Sequence, residues 1–512
     1  MAQDATSEEG AGPRLSGHVL FAAAAVMTLA CGLLFFWPAR TLPNVDDLFF
    51  VPWAMEFAET GRHWNPLLAV QFPDLETYHL QPRLHLIFAG WFFALAGANT
   101  ITLVVFEFLC YALASFLFAL LSYRLNLRLA ALFAPLMFAP SFAVAGFRLE
   151  LTGAVLFLLG LVLLLPLLRK TVQGERAQSR FETGCNILGM ALLGCAPLAA
   201  PAVFAWSLGA IAVIEGLRLW YRQASFLRIF MEGSCALLLA LAVFAVSVEF
   251  EFAAFLEQFT YHASRSTGGG VNDEAIFRAL IFAAVAGGLF RCRAPLPAAY
   301  CLALAVGQGL GAFLHDKALI RNLAASMVFL IAADAVLNAR WQVFKAGLFA
   351  TVFLVLTVNF ASFYVFSRDA GNQKAVLSAY RKDLQDGHRV FVDEVMAHHY
   401  LDQKTDGALS WTWGGTFPKG RPTGLIDLTD GDVWYVSEYT LRGYLRGYHA
   451  VARPIWSEPD YRRVPQIQCL FGRHACNLPA ARWSMMRLER KDGEVFVEEL
   501  GSGAPPRLLE GA

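Results

Sequence analysis

The chain has 512 residues, 57% of them hydrophobic and only 16% charged, and its 41 basic and 41 acidic residues cancel. Soluble domains carry about 25% charged residues, and here long uncharged runs alternate with short basic loops. This pattern excludes a soluble globular protein, gives no basic footprint for nucleic acid, and defines a polytopic membrane protein.

The opening stretch "MAQDATSEEGAGPRLS" (1–16) lacks the basic start of a signal peptide. The apolar run at 21–38 therefore predicts a first transmembrane helix preceded by a cytoplasmic tail. The next run, 84–97, holds only about 14 residues, too few for the hydrocarbon core at 1.5 Å per residue. It predicts a re-entrant or interfacial helix within a large outer loop, 39–100, and a full span follows at 101–121. Basic clusters at 124–128, 169–180, 218–228, 291–293 and 340–345 mark cytoplasmic loops. Paired spans fit between them: 129–146 with 151–168, two short helices around Pro197 and Pro201, 230–248 with 275–290, and 295–313 with 322–339. A last span at 346–366 gives eleven, with the N-terminus inside and the C-terminus outside.

Residues 367–512 are polar and of mixed charge, and predict an extracytoplasmic α/β domain. "HRVFVDEV", "GLIDLT" and "DVWYVSEY" read as strands, and "EYTLRGYLRGY" has helical spacing. Seven of the nine cysteines lie in apolar runs or short loops and read as small core residues. Cys469 and Cys476, in "CLFGRHAC", predict a disulfide in an oxidising compartment. With His474 they would supply only three soft metal ligands.

Four polar clusters fall on the predicted outer face: Asp46 with Asp47, "YHLQPRLHL" (78–86), Arg148 with Glu150, and "HDKALIR" (315–321). Ionisable residues at membrane depth are costly and usually line an interior or a substrate path. Carboxylates gathered with cations suit a reaction between a hydroxyl and a phosphate-bearing lipid: a carboxylate takes the proton, and Arg or Lys hold the departing phosphate. Each cluster also has a plain structural role open to it. Asp46 and Asp47 suit an N-cap, Arg148 and Glu150 a loop ion pair, and His315, Lys317 and Arg321 lipid headgroups. His79 and His85 suit ordinary interfacial positions.

The series Asp46-Asp47, "VPWAMEFAETG", "GRHWNP" and "QPRLHLIFAGWFFALAG" resembles the GT-C type of integral-membrane glycosyltransferases, particularly the protein O-mannosyltransferase and lipid A aminoarabinose transferase branch. "FRLEL" is similar to its Arg-x-acid element and "HDKALIRNL" to its basic late loop. The resemblance covers 17–366 and is strongest over 40–100. It implies an inverting sugar transfer from a polyprenyl-phosphate donor to a hydroxyl of a glycan, lipid or protein acceptor. Asp46 would be the general base and Asp47 its partner. Arg83, Arg148, Glu150, His315, Lys317 and Arg321 would serve the substrate and its phosphate. Arg83 stands where the family has a second Pro, and Leu80 where one branch has a Glu; Asp46 with Glu150 would still offer oxygen ligands to a divalent cation. The bacterial style of the chain, without eukaryotic retention signals, predicts an inner-membrane protein with its site facing the periplasm.

Two further readings attach to the outer segments. The stretch 249–274, with "STGGG", serves either as a gating loop or as a plain connector. Trp411, Trp413 and Trp434 suit either sugar stacking or a domain core. The rival functions are a non-catalytic lipid or solute transporter and an inactive subunit of the same fold.

Overall fold

The computed structural model of the chain describes residues 17–37, 47–70, 72–73, 77–79, 81–175, 179–266, 272–313, 318–336, 347–348, 350–351, 353–354, 373–393, 404–409, 427–437, 441 and 485–509. Its helices, in chain order, are α1 Gly17–Cys31, α2 Asp47–Thr60, α3 Leu84–Ala96, α4 Thr100–Arg124, α5 Arg128–Ala145, α6 Glu150–Gln173 and α7 Arg180–Ala199. They continue with α8 Phe204–Trp220, α9 Phe226–Ser247, α10 Phe252–Ser266, α11 Asp273–Arg291, α12 Pro295–Gly311, α13 Ala318–Val336 and α14 Gln373–Gln385.

The helix ends follow local chemistry. α4 opens on a capping box, in which Asn99 accepts the amide protons of Ile101 and Thr102 while Thr102 accepts from the Asn99 amide. Ser179 and Glu182 open α7 in the same way. Ala200, extended because a proline follows, separates α7 from the turn Pro201–Val203 that leads into α8. Of the two proline breaks expected from the sequence, the one at Pro201 forms the junction, whereas Pro197 stays inside α7 and does not break it.

Among the described residues six helical stretches are long and apolar enough to cross a bilayer: Gly17–Phe36, Thr100–Arg124, Glu150–Gln173, Arg180–Ala199, Pro201–Trp220 and Phe226–Ser247. Leu84–Ala96 is short, as its residue count dictates. α6 is the most enclosed, with 78% of its apolar window buried, against 17% for α9. α6 therefore forms the centre of the bundle and α9 its edge. Small residues set the closest approaches: Gly209 of α8 faces Gly307 of α12, where a Cβ on Gly307 would lie 2.8 Å from the Trp206 Cα.

At the end of the bundle remote from Glu150, charged side chains tie helices together. Arg218 of α8 reaches Glu215 at 2.6 Å and Glu232 of α9 at 2.8 Å, and Glu232 also accepts from Asn186 of α7 and Arg228. Asp334 of α13 accepts the amides of Leu129 and Ala130, and so caps α5 from another helix.

Beyond α14 the described strands form one sheet, ordered β2-β1-β3-β4-β5-β6, comprising β1 Val390–Val392, β2 Gly407–Ala408, β3 Val433–Ser437, β4 Met485–Lys491, β5 Glu494–Glu499 and β6 Arg507–Leu508. β1 runs parallel to β2 and β3, and the remaining pairs are antiparallel. The β4–β5 hairpin turns at Asp492-Gly493, both at positive φ as a tight two-residue turn requires. The expected strands around 390 and 433 are present, whereas at 424–429 the described part carries no strand. Most of "EYTLRGYLRGY" lies outside the described residues, as do most of the expected span 346–366 and both Cys469 and Cys476.

Trp434 is fully buried in the sheet's own core with Phe391, Leu488 and Val497, so the core alternative holds for it. Trp411 and Trp413 lie outside the described residues. The sheet rests on the segment after α2. Gly407 of β2 stands against Val70, with 3.0 Å between a Cβ built there and the Val70 side chain, and Lys404 pairs with Glu59 at 2.6 Å.

Candidate functional site

Asp47 is the first residue of α2, where the helix dipole favours a carboxylate, and the N-cap position before it falls to Asp46. Asp46, His315 and Lys317 lie outside the described residues. The backbone beside Asp47 is held from the following loop: the Asn65 side-chain amide donates to the Leu48 carbonyl at 2.7 Å, and its oxygen caps the turn Pro66–Leu68. Two residues earlier, His63 stacks on Phe57 and packs against Trp53, both on α2.

The loop before α3 carries a buried cationic cluster. Arg83 is fully buried, donates through Nε to the Tyr78 carbonyl at 3.2 Å, and sets Nη2 2.7 Å from His79 Nδ1. Its acidic partners come from the turn after α9. Glu249 reaches His63 Nε2 at 3.2 Å and Arg83 at 3.7 Å, while Glu251 meets His79 Nε2 at 2.6 Å. Gln258 of α10 completes the contact by accepting the His79 amide at 2.7 Å and donating to the Thr77 carbonyl at 3.0 Å.

These contacts fix the protonation pattern. Burial, then the charge of Arg83, pushes His63 down to about 3 and His79 down to about 4. Both imidazoles are therefore neutral at pH 7. The His79 hydrogen bond holds Glu251 below the usual carboxylate range. With Nε2–H donating to Glu251, Nδ1 of His79 is left to accept from Arg83. Burial lowers Arg83 to about 10, with Glu249 and Glu251 opposing the shift, and it stays charged.

The turn that delivers the two carboxylates is a sharp one. Glu249 and Phe250 sit at φ 53° and 63°, consecutive left-handed residues without a glycine, at roughly 1–2 kcal/mol each. Within the stretch 249–274 the described residues 252–266 form α10, whose buried side chains Phe255 and Gln258 face the outer loop.

Arg148 and Glu150 pair with each other at 3.3 Å, as their loop alternative has it. A cation bound at Glu150 would compete with that guanidinium. Among the described residues no group of three His, Cys, Asp or Glu side chains is placed to share a metal. Arg321 is half-buried near the start of α13. His85 is not an interfacial surface residue: fully buried on α3, it sets Nδ1 2.8 Å from Thr152 Oγ1 and packs against Phe106 and Phe147.

Of the residues singled out in the sequence, Arg83 and His79 are thus brought together, and Arg148 with Glu150. The structure adds His63, which lies in "GRHWNP", and Glu249, Glu251 and Gln258, which lie in the stretch 249–274; none of the four was singled out in the sequence. Gln258 lies 179 residues from its partner His79. Compared with models of known protein families the chain matches none, and no curated protein matches it.

Proposed function

We propose that the chain is a membrane glycosyltransferase of the GT-C type, transferring a sugar from a polyprenyl-phosphate donor to an acceptor hydroxyl. The supporting observation is one connected set of contacts. It runs from Leu48, the neighbour of Asp47, through Asn65 and the adjoining His63 to Glu249 and buried Arg83. A buried guanidinium joined to the backbone beside Asp47 supports the reading, because a carboxylate base and a cation for the phosphate are the parts an inverting transfer needs.

In this reading Asp46 takes the proton of the acceptor hydroxyl as its oxygen attacks the anomeric carbon. The bond from that carbon to the donor phosphate breaks with inversion, and the phosphate leaves with the electron pair. Asp47 orients Asp46, and two adjacent carboxylates titrate as a unit. Arg83, with Arg148, Lys317 and Arg321, takes up the charge of the leaving phosphate. The chain crosses the inner membrane eleven times, with its N-terminus cytoplasmic and its C-terminal domain on the side of the outer loop. The Lys404–Glu59 and Val70 contacts between that domain and the loop region support this arrangement.

One observation favours a second reading, an inactive subunit of the same fold: Arg83, His63 and His79 already hold partners within the chain. The test is purified protein in liposomes with a panel of radiolabelled polyprenyl-phosphate sugars and an envelope extract as acceptor. Transfer from one donor that Asp46→Asn removes supports the enzyme. Equal transfer by Asp46→Asn moves the base elsewhere, and no transfer from any donor with stable protein supports the subunit.

A further inference from the structure

α9 ends in the turn at Glu249 and Phe250, and α10 departs from it with two unlike sides. On one side Phe255 and Gln258 are buried against the outer loop, and Glu251, just before the helix, reaches the same loop. On the other, Phe252 and Leu256, one helical turn apart, are 45% and 60% exposed, and Phe250 in the turn is 68% exposed. These apolar side chains continue the outward surface of α9, where Leu238, Leu241 and Val246 are also exposed. A ladder of ring contacts, Phe244 with Phe252 and Phe255, and Phe250 with Phe252, joins the two helices at the elbow.

α10 itself cannot cross. Its 15 residues reach about 22 Å, short of a ~30 Å hydrocarbon core, and it carries Glu257, Gln258 and Thr260 among its apolar residues. A short helix that leaves the end of a span and exposes an apolar strip, Phe252 and Leu256, beside exposed Glu257 and Thr260 is built to lie in the plane of the interface. A second copy of the chain would need a matching surface of its own, whereas the exposed strip continues the outward flank of α9, a helix long and apolar enough to cross a bilayer with only 17% of its window buried, so lipid is the occupant it fits.

We propose that α10 is a membrane-interface helix: Phe250, Phe252 and Leu256 seat in the bilayer where α9 emerges, while Glu251, Phe255 and Gln258 clamp residues 77–83 of the outer loop. The lipid surface then holds the loop in place, because leaving the bilayer would pull Gln258 from the Thr77 and His79 backbone and Glu251 from the His79 ring. This inference concerns the bilayer and the loop, and stands whether or not sugar transfer is observed.

The test uses the full chain in phosphatidylethanolamine–phosphatidylglycerol nanodiscs, with the photo-crosslinker benzoylphenylalanine placed at Leu256 or at Glu257. The Leu256 probe is expected to yield chain–phospholipid adducts by mass, about tenfold more than the Glu257 probe, whose position faces the headgroup side. A covalent dimer, an adduct to another part of the same chain, or equal lipid yields from both positions would overturn the seat. The coupling is read by hydrogen exchange of 77–83 in Leu256→Glu, an exposed position whose change leaves the core intact. Exchange faster by about tenfold is expected, with the bundle helices unchanged. Wild-type exchange rates in that variant would overturn the coupling, and wild-type rates in Gln258→Ala together with Glu251→Ala would overturn the clamp.

Discussion

His79 Nε2 and Glu251 Oε2 stand 2.6 Å apart, closing a contact between segments separated by 172 residues. The groups around that pair are His63, Arg83, Glu249, Gln258 and Phe255. His63 and His79 are pushed to about 3 and about 4 in the folded loop from an ordinary value of 6.5. The released loop therefore binds more protons than the docked one below pH 6.5. Stability of the docked loop is full above that pH and falls as pH drops toward 4. Glu251, held low, adds a loss of the same sign at still lower pH. Hydrogen exchange of 77–83, corrected for its intrinsic pH dependence, is expected to accelerate between pH 7.5 and 5. His63→Gln with His79→Gln is expected to flatten that dependence.

Arg218 is expected to be the most sensitive charge at the other end of the bundle. It is 1% exposed and serves both Glu215 and Glu232. Arg218→Ala leaves buried Glu215 without its guanidinium and Glu232 with Arg228 as its remaining cation, a loss on the order of 3–5 kcal/mol. Thermal unfolding in detergent should show a large fall in Tm, and Arg218→Met combined with Glu215→Gln and Glu232→Gln should recover much of it.

Gly307 has no room for a methyl group, because its Cβ would stand 2.8 Å from the Trp206 Cα, a backbone atom that cannot rotate away. Gly307→Ala should therefore cost about 1–3 kcal/mol by forcing α8 and α12 apart. Gly288→Ala, inside α11 with nothing within 4 Å of the built Cβ, serves as the control. It should be neutral or raise Tm slightly through helix propensity.

In the C-terminal domain Asp383 accepts from Tyr435 at 2.6 Å and from Arg487 through two nitrogens at 2.7 and 2.9 Å. Burial alone would raise its carboxyl; the Arg487 and Tyr435 hydrogen bonds outweigh that and hold it below the ordinary value. Its stabilisation is present above the ordinary carboxylate range and is lost as pH falls through the depressed value. Asp383→Asn should lower the Tm of this domain at pH 7 and make its acid unfolding less steep, as read by tryptophan fluorescence.

The sequence by itself determined the apolar helices and their ends. Run length and capping residues act within a few positions along the chain, and so do the left-handed Asp492-Gly493 turn and the break at Pro201. The shortness of α3 followed from counting. What the tertiary structure alone decided lies in contacts between distant segments. Arg83 was visible as a cation, but its burial and its pairing with Glu249 depend on how α9 delivers the turn at 249–250. His63 was visible only as part of "GRHWNP", and the stretch holding α10 read as a gating loop or a connector because its apolar residues are too few to mark a span. The cap that Asp334 lends to α5 and the joining of β3 to β4 depend likewise on which elements end side by side. Periodicity along one segment records which side of it is apolar, and the identity of what covers that side is a property of the assembled chain.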